Sequence, residues 1–323
     1  MNKVILLGLG ALMFAATSCS NDETVEMPKG NAIGFKTMIN KNGSRAAVET
    51  TVANLTQFKV WGYAQGGLIF NGQVVNANNG TCTYTPLQYW EANKAYAFTA
   101  IGSDQATCTA VYTVADATEG QEGFGSVEFN NDAAKGAEDL VWAAKNVAAM
   151  TTIDTNVPVV DLAFKHALSR VKFTFENGMN SEAYKLTVTD VQIDNAFTKG
   201  TMTLPAATWE GETPVALGFD NPAAAIANAA SEATPYQYII PGAQNLTLSF
   251  KVTVDVNGVT TEYNHNNVAL TLPDNGEYKN GFSYNFKATI NPTNIDPENE
   301  LQPIVFSASV DEWGKDNDVT VAL

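Results

Sequence analysis

Residues that commonly carry catalysis are scarce in this chain. Of its 323 residues, two are histidine, two are arginine and three are cysteine. The sequence contains no HExxH, nucleophile elbow or phosphate-binding glycine loop. His166 lies close to Ser169, but two residues so near along one strand cannot adopt the Ser–His geometry of a hydrolase. The sequence therefore predicts no catalytic residues, no cofactor and no metal site, and we expect a protein that is not an enzyme.

Positive charge is scarce as well. The chain has 18 lysines and arginines against 34 acidic residues, which gives a net charge of −16. Such a surface repels nucleic acid and anionic lipid headgroups. Nucleic acid is therefore not expected as a partner, and contact with a membrane would have to come from a covalent lipid.

The N-terminal sequence predicts an attachment site for such a lipid. Residues 1–18 have the layout of a secretory signal peptide, in which Lys3 precedes an apolar run too short for a retained transmembrane helix. A Thr-Ser pair then leads into Cys19, which resembles a bacterial lipobox. We expect cleavage before Cys19 and lipid on its thiol, so that the precursor is held at the outer membrane through this residue alone. Plain secretion with cleavage near Ala16 is the alternative.

The other two cysteines, Cys82 and Cys108, each lie in a Thr-Cys-Thr triplet within strand-like sequence. Two thiols with no histidine nearby cannot close a zinc site. A disulfide between them is compatible with an exported protein. Two separate buried thiols are the alternative.

Strand signals follow one another along nearly the whole chain, and they are joined by turn residues. This pattern favours β-sandwiches over alternating α/β units, and the length suggests two domains with a polar seam near residues 151–158. Asn71-Gly72 and Asn257-Gly258 each predict a hairpin with a type I′ turn. The clearest period-two alternation lies at residues 172–175, 185–193, 246–256 and 284–290.

The segment between Cys19 and Arg45 contains one strand pattern. After it, small polar residues lead to Arg45-Ala46, in the kind of loop that proteases reach. The second arginine, Arg170, lies in a strand and should be protected by folding, so Arg45 is the single predicted site for an arginine-specific protease. The predicted strand has one face formed by Ile33, Phe35, Thr37 and Ile39.

The C-terminal segment has two more alternating rows. The first consists of Ile304, Phe306, Ala308 and Val310, and the second of Val319, Val321 and Leu323.

Several further motifs match one family when they are taken in order. Together with the lipobox-like cysteine and the Ser44-Arg45-Ala46 step, they resemble the fimbrillin family of Bacteroidales pili, the type V pilins. The resemblance covers nearly the whole chain. The matching stretches are Phe58–Tyr63, Leu87–Trp90, Tyr96–Ala100, Leu162–Val171, Ile239–Gly242 and Val310–Trp313.

The resemblance implies a fold of two tandem transthyretin-like Greek-key β-sandwich domains. In the family, an arginine-specific surface protease removes the first strand, and a C-terminal strand of another subunit fills the groove. The same is expected here, and both C-terminal rows are candidates for the donor strand. The resemblance thus implies that the protein joins other pilin subunits in an extracellular fimbrium. This fimbrium would serve adhesion or biofilm formation through a host or bacterial surface receptor. The implied segments are a signal peptide at 1–18, a propeptide at 19–45, and sandwiches at 46–157 and 158–323.

Two alternatives use the same residues differently. If residues 303–323 stay in their own domain, the protein would be a tip or anchor subunit that does not donate a strand. If the propeptide is retained, the protein would be a surface glycan-binding lipoprotein. The sugar platform would then be formed by one of two aromatic sets, either Tyr84, Tyr89 and Trp90 or Trp61 and Tyr63.

Overall fold

The computed structural model describes an all-β fold, which confirms the predicted fold class. Within the described residues, no helix has the length and hydrophobicity to span a bilayer. The described residues are 30–39, 54–65, 67–78, 80–105, 108–115, 124–131, 138–154, 156–222, 224–273, 276–299 and 302–313.

Seven strands from the first half of the chain form a closed barrel around one core. They follow the order β1-β4-β3-β2-β5-β8-β9, with strands numbered along the chain. Closure between β8 and β9 involves two residue pairs, Val141–His166 and Trp142–Lys165. The bounds are β1 (Gly34–Ile39), β2 (Gln57–Ala64), β3 (Gly67–Asn78), β4 (Thr81–Thr83), β5 (Tyr96–Ser103), β8 (Leu140–Val147) and β9 (Val159–His166).

The second half is a sandwich of two sheets. Its core combines inward residues of both sheets, including Phe173, Phe286 and Val252. One sheet contains β10 (Ser169–Asn177), β15 (Ser231–Ala233), β16 (Gln237–Ile239), β19 (Phe282–Ile290) and β20 (Ser307–Glu312). The other contains β11 (Tyr184–Ala196), β14 (Val215–Gly218), β17 (Thr247–Val256) and β18 (Val259–Ala269).

The change from the first unit to the second lies later than the sequence predicts. β9 was expected to open the second sandwich, after a boundary at 157/158. It instead pairs with β1 over six residues, and its Leu162 and Phe164 belong to the first core. The chain leaves the first unit at the buried corner Ala167-Leu168, and β10 then begins the second unit.

A fourth sheet joins the two halves. Its order is β13-β12-β7-β6, so two strands of the first half pair with two strands of the second. The third core cluster lies here and combines Trp61 and Leu140 with Met202, Tyr238 and Trp313. The bounds are β6 (Val111–Thr113), β7 (Ser126–Asn130), β12 (Lys199–Thr203) and β13 (Thr208–Gly211).

The two predicted Asn-Gly turns have different outcomes. Asn257 and Gly258 connect β17 to β18 with φ values of 55° and 88°, as a type I′ hairpin requires. The prediction for Asn71-Gly72 is wrong, because β3 continues through this pair. Here the register against β2 shifts by one residue and Gly72 has a φ of 69°, so the pair forms a bulge.

The third core should make the halves unfold together. Met202 is fully buried in β12, and Met202→Ala should lower the free energy of unfolding by about 2–5 kcal/mol through loss of packing. In this variant, hydrogen exchange should show an equal loss of protection for the amides of β5, in the first half, and of β17, in the second. Val259→Ala, at a side chain that is 71% exposed, should change stability by less than about 0.5 kcal/mol. Loss of protection in one half alone would contradict this coupling.

Candidate functional site

The first strand, β1, completes the first core from a position upstream of Arg45. Its residues alternate between the core and solvent, as a strand with one buried face requires. Lys36 and Met38 face outward, and Met38 is 43% exposed. The side chains that the sequence assigns to the inner face are all buried: Ile33, Phe35, Thr37 and Ile39.

Phe35 is the centre of an aromatic cluster in the first core. Its ring centroid lies 5.4 Å from that of Phe70, 5.6 Å from Tyr84 and 5.7 Å from Phe98. Such edge and tilted contacts add to the free energy gained from burial of the ring. Removal of β1 would therefore leave a pocket lined by three aromatic rings.

The backbone of β1 is held mainly along one edge. Its parallel ladder with β9 extends from Gly34–Val159 to Ile39–Phe164. On the other edge the ladder with β4 has a single residue pair, Lys36–Thr81. The Tyr84 hydroxyl donates to the Ile33 carbonyl at 2.7 Å. Loss of this strand would break the six-pair ladder and leave the β9 edge without a partner.

Of the two arginines, only Arg170 lies in the described part of the chain. Arg170 is 1% exposed, which confirms that folding protects it. Its Nε donates to Ser283 Oγ at 2.6 Å, and its guanidinium lies 4.2 Å from the centre of the Tyr236 ring. Cys19, Arg45 and Ala46 lie outside the described residues.

The first C-terminal row is part of its own sandwich. β20 pairs antiparallel with β19 from Phe282–Glu312 to Lys287–Ser307. Ile304 and Phe306 are buried in the second core, while Ala308 and Val310 pack against it. The Phe306 ring lies about 6 Å from three others, those of Phe173, Phe175 and Phe250. This row is therefore engaged in cis, and Val319, Val321 and Leu323 lie outside the described residues.

Trp313 attaches the end of this segment to the junction of the two halves. Its ring stacks on His166 at 4.1 Å and on Tyr238 at 5.3 Å, and its amide donates to the Gly281 carbonyl at 2.7 Å. Arg170 lies 4.8 Å from the same ring. The segment is therefore held by stacking as well as by its ladder.

His166 and Ser169 are not brought together. His166 Nδ1 lies 3.0 Å from a carboxylate oxygen of the buried Asp139, while Ser169 Oγ donates to the Lys279 carbonyl at 2.8 Å. No group of three His, Cys, Asp or Glu residues able to hold a metal ion exists in the described part of the chain.

Neither of the two aromatic sets considered for sugar binding forms an exposed platform. Trp90 is 1% exposed and lies in the first core, whereas Trp61 lies in the third and its ring centroid is 4.3 Å from that of Tyr112. Tyr84 turns inward to Phe35, and Tyr63 approaches Phe124 at 6.4 Å. Tyr89 is 51% exposed.

A disulfide between Cys82 and Cys108 is not formed, since both thiols are free. Cys82 packs against the first core and Cys108 against the third, so the two lie in different clusters. The structure therefore contains two separate thiols, which was the alternative to a disulfide. Burial raises the pKa of each thiol to about 12, and the Glu138 carboxylate adds to the effect at Cys108.

These features define an all-β protein in which a closed barrel, completed by a strand from upstream of Arg45, is followed by a β-sandwich. A family model for fimbrillin-like proteins matches residues 44–313. The chain therefore belongs to the fimbrillin-like family and is a fimbrial subunit.

Solved structures have the same fold. A fimbrial protein from Bacteroides vulgatus has a TM-score of 0.61 at 15% identity, over 87% of this chain and 99% of its own. Candidate cell adhesion proteins from Bacteroides uniformis and Bacteroides ovatus both have TM-scores of 0.50, at 16% and 12% identity, over 88% of this chain and 99% of theirs. At these identities the likeness shows the fold alone. No curated protein matches the chain at a significant level.

The contribution of Phe35 can be measured against its neighbour Lys36. Phe35→Ala should lower the free energy of unfolding by about 3–5 kcal/mol, because the cluster of rings loses its centre. Lys36→Ala, on the outward face of the same strand, should cost less than about 0.5 kcal/mol. Urea unfolding of both variants gives the comparison. Equal effects would mean that β1 is not inserted in the core.

The two half-buried thiols should react only slowly in the native protein. With a pKa of about 12, each is almost entirely protonated at pH 8, and the thiolate is the species that alkylates. Iodoacetamide labelling with peptide mapping should therefore modify Cys82 and Cys108 only after unfolding. Rapid native labelling of either residue would contradict its burial.

Proposed function

We propose that this fimbrial subunit is exported as a precursor lipidated on Cys19, cut after Arg45, and polymerised by strand exchange to serve adhesion or biofilm formation. The insertion of β1 into the first core is the observation that carries the proposal. β1 lies upstream of Arg45, yet it supplies Phe35 and Ile39 to a core otherwise built downstream of that residue. A cut after Arg45 separates this strand covalently from the unit it completes.

Loss of β1 would leave a groove suited to a replacement strand. The free β9 edge would offer backbone hydrogen bonds, and the aromatic pocket would select an apolar side chain, which is how strand addition combines affinity with specificity. Burial of each large apolar side chain contributes about 1.5–3 kcal/mol. Repetition of one such head-to-tail contact gives an open filament.

The donor is best assigned to the second C-terminal row. Because Ile304 and Phe306 are packed in their own core, their release would expose that core. Val319, Val321 and Leu323 follow Trp313 within ten residues, which extend to about 33 Å. The six residues of β1 span about 20 Å, so the ten-residue segment that carries this row is long enough to replace them.

The engagement of β20 in cis also favours a second role. A subunit whose C-terminal strand stays on β19 can accept a strand without donating one, as a tip or anchor subunit would. Deletion of residues 314–323 separates the two roles. A stalk subunit would lose polymerisation, whereas a tip or anchor subunit would still enter fimbriae in normal amounts.

Arg45→Ala tests the processing step. The variant should accumulate as an uncut precursor and form no high-mass ladder on a semi-denaturing gel, because β1 continues to fill the groove. Lys41→Ala is the matched control, since it removes a positive charge from the same stretch and leaves Arg45 in place. It should assemble as the natural sequence does.

Two results would contradict the processing step. One is a normal ladder from Arg45→Ala. The other is cleavage of the folded chain after Arg170 by an arginine-specific protease, since this residue is predicted to resist attack while Arg45 is cut.

A further inference from the structure

A cleft of about 880 Å³ lies outside the first core, along the seam between β8 and β9. β8 lines it with five consecutive residues, from Trp142 to Asn146, so the cleft follows the edge of that strand. β9 contributes the alternate residues Asp161, Ala163 and Lys165. The apolar part of the lining includes Met38, Phe124 and Leu204.

The seam is paired at one end only. β8 and β9 share two residue pairs, ending at Trp142–Lys165, and among the described strands none pairs with β9 on this side before Lys165. The second sandwich provides a comparison. β19 runs parallel to β10 as β9 runs parallel to β1, and the other edge of β19 is covered by antiparallel β20. The corresponding edge of β9 has room for an antiparallel segment.

The described chain ends beside the paired end of this seam. Trp313 stacks on His166, and its amide is bonded to Gly281, which lies against the His166 backbone. Residues 314–323 therefore start next to Lys165. A segment that runs from His166 towards Asp161 is antiparallel to β9, and ten residues reach about 33 Å, well beyond this distance.

The charges of the segment and the cleft are complementary. Residues 314–323 carry two acidic residues, Asp316 and Asp318, against one lysine, Lys315, and the apolar row from Val319 to Leu323 follows. The cleft presents the exposed amines of Lys145 and Lys165, and the latter lies 5.5 Å from the centre of the Trp142 ring. The lining also includes the exposed Asp161, so two lysines and one aspartate leave the cleft with a net positive charge. In a chain with a net charge of −16, a positive cleft favours an acidic segment.

We propose that residues 314–323 dock in cis in this cleft, antiparallel to β9, with their acidic residues near the two lysines and their apolar row against Met38, Phe124 and Leu204. Docking requires neither export nor cleavage. One consequence rests on the proposed function: because Met38 belongs to β1, excision of β1 would remove part of the cleft and release the segment as the acceptor groove opens.

Hydrogen exchange on the full, uncut chain tests the docking. Amides of residues 316–323 should exchange at least about tenfold more slowly than in a free peptide of the same sequence. Lys165→Glu should return them to the free-peptide rate. Lys185→Glu, the same charge change at an exposed position of β11, should leave them protected. Combining Lys165→Glu with Asp318→Lys should restore protection, because the pair of opposite charges is re-formed.

Three results would overturn the proposal. They are free-peptide exchange in the natural sequence, protection that survives Lys165→Glu, and protection that rises with protein concentration, which would mean docking on a second copy. If Lys165→Glu fails to fold, Asp318→Lys alone makes the same test from the side of the segment and should abolish protection. Since the chain is uncut, the outcome does not depend on processing at Arg45.

Discussion

The insertion of β1 beside β9 is the contact on which the rest of the account depends. It places Phe35 among three aromatic rings and closes the first core with a strand from upstream of Arg45. Loss of this strand would expose the first core until another strand took its place, which is the acceptor role proposed above.

The second sandwich is completed by a strand from its own part of the chain. β20 follows β19 in sequence and covers the edge of β19 that would otherwise be open. Trp313 then fixes the end of that segment against His166, Tyr238 and Arg170 at the junction of the halves. The junction has its own core, to which both halves contribute, and a sheet that they share. Trp313, at the end of the segment that contains β20, therefore packs against residues of both units.

Local signals were readable from the sequence, whereas partners distant along the chain were not. The alternation of β1 and the Asn257-Gly258 turn depend on a few neighbouring residues, and both were predicted correctly. Asn71-Gly72 has the same letters but forms a bulge, because pairing with β2 continues past it. The placement of β9 could not be read from the sequence for a related reason: the corner at Ala167-Leu168 is apolar like the strands around it. The engagement of β20 and the separation of the cysteines depend on tertiary contacts that no local pattern encodes.

The most direct measurement of the central claim is the intact mass of the subunit extracted from assembled surface fimbriae. The account predicts a polypeptide that begins at Ala46, without lipid and without residues 30–39. A subunit that begins at lipidated Cys19 and retains β1 inside the assembled fibre would contradict strand replacement.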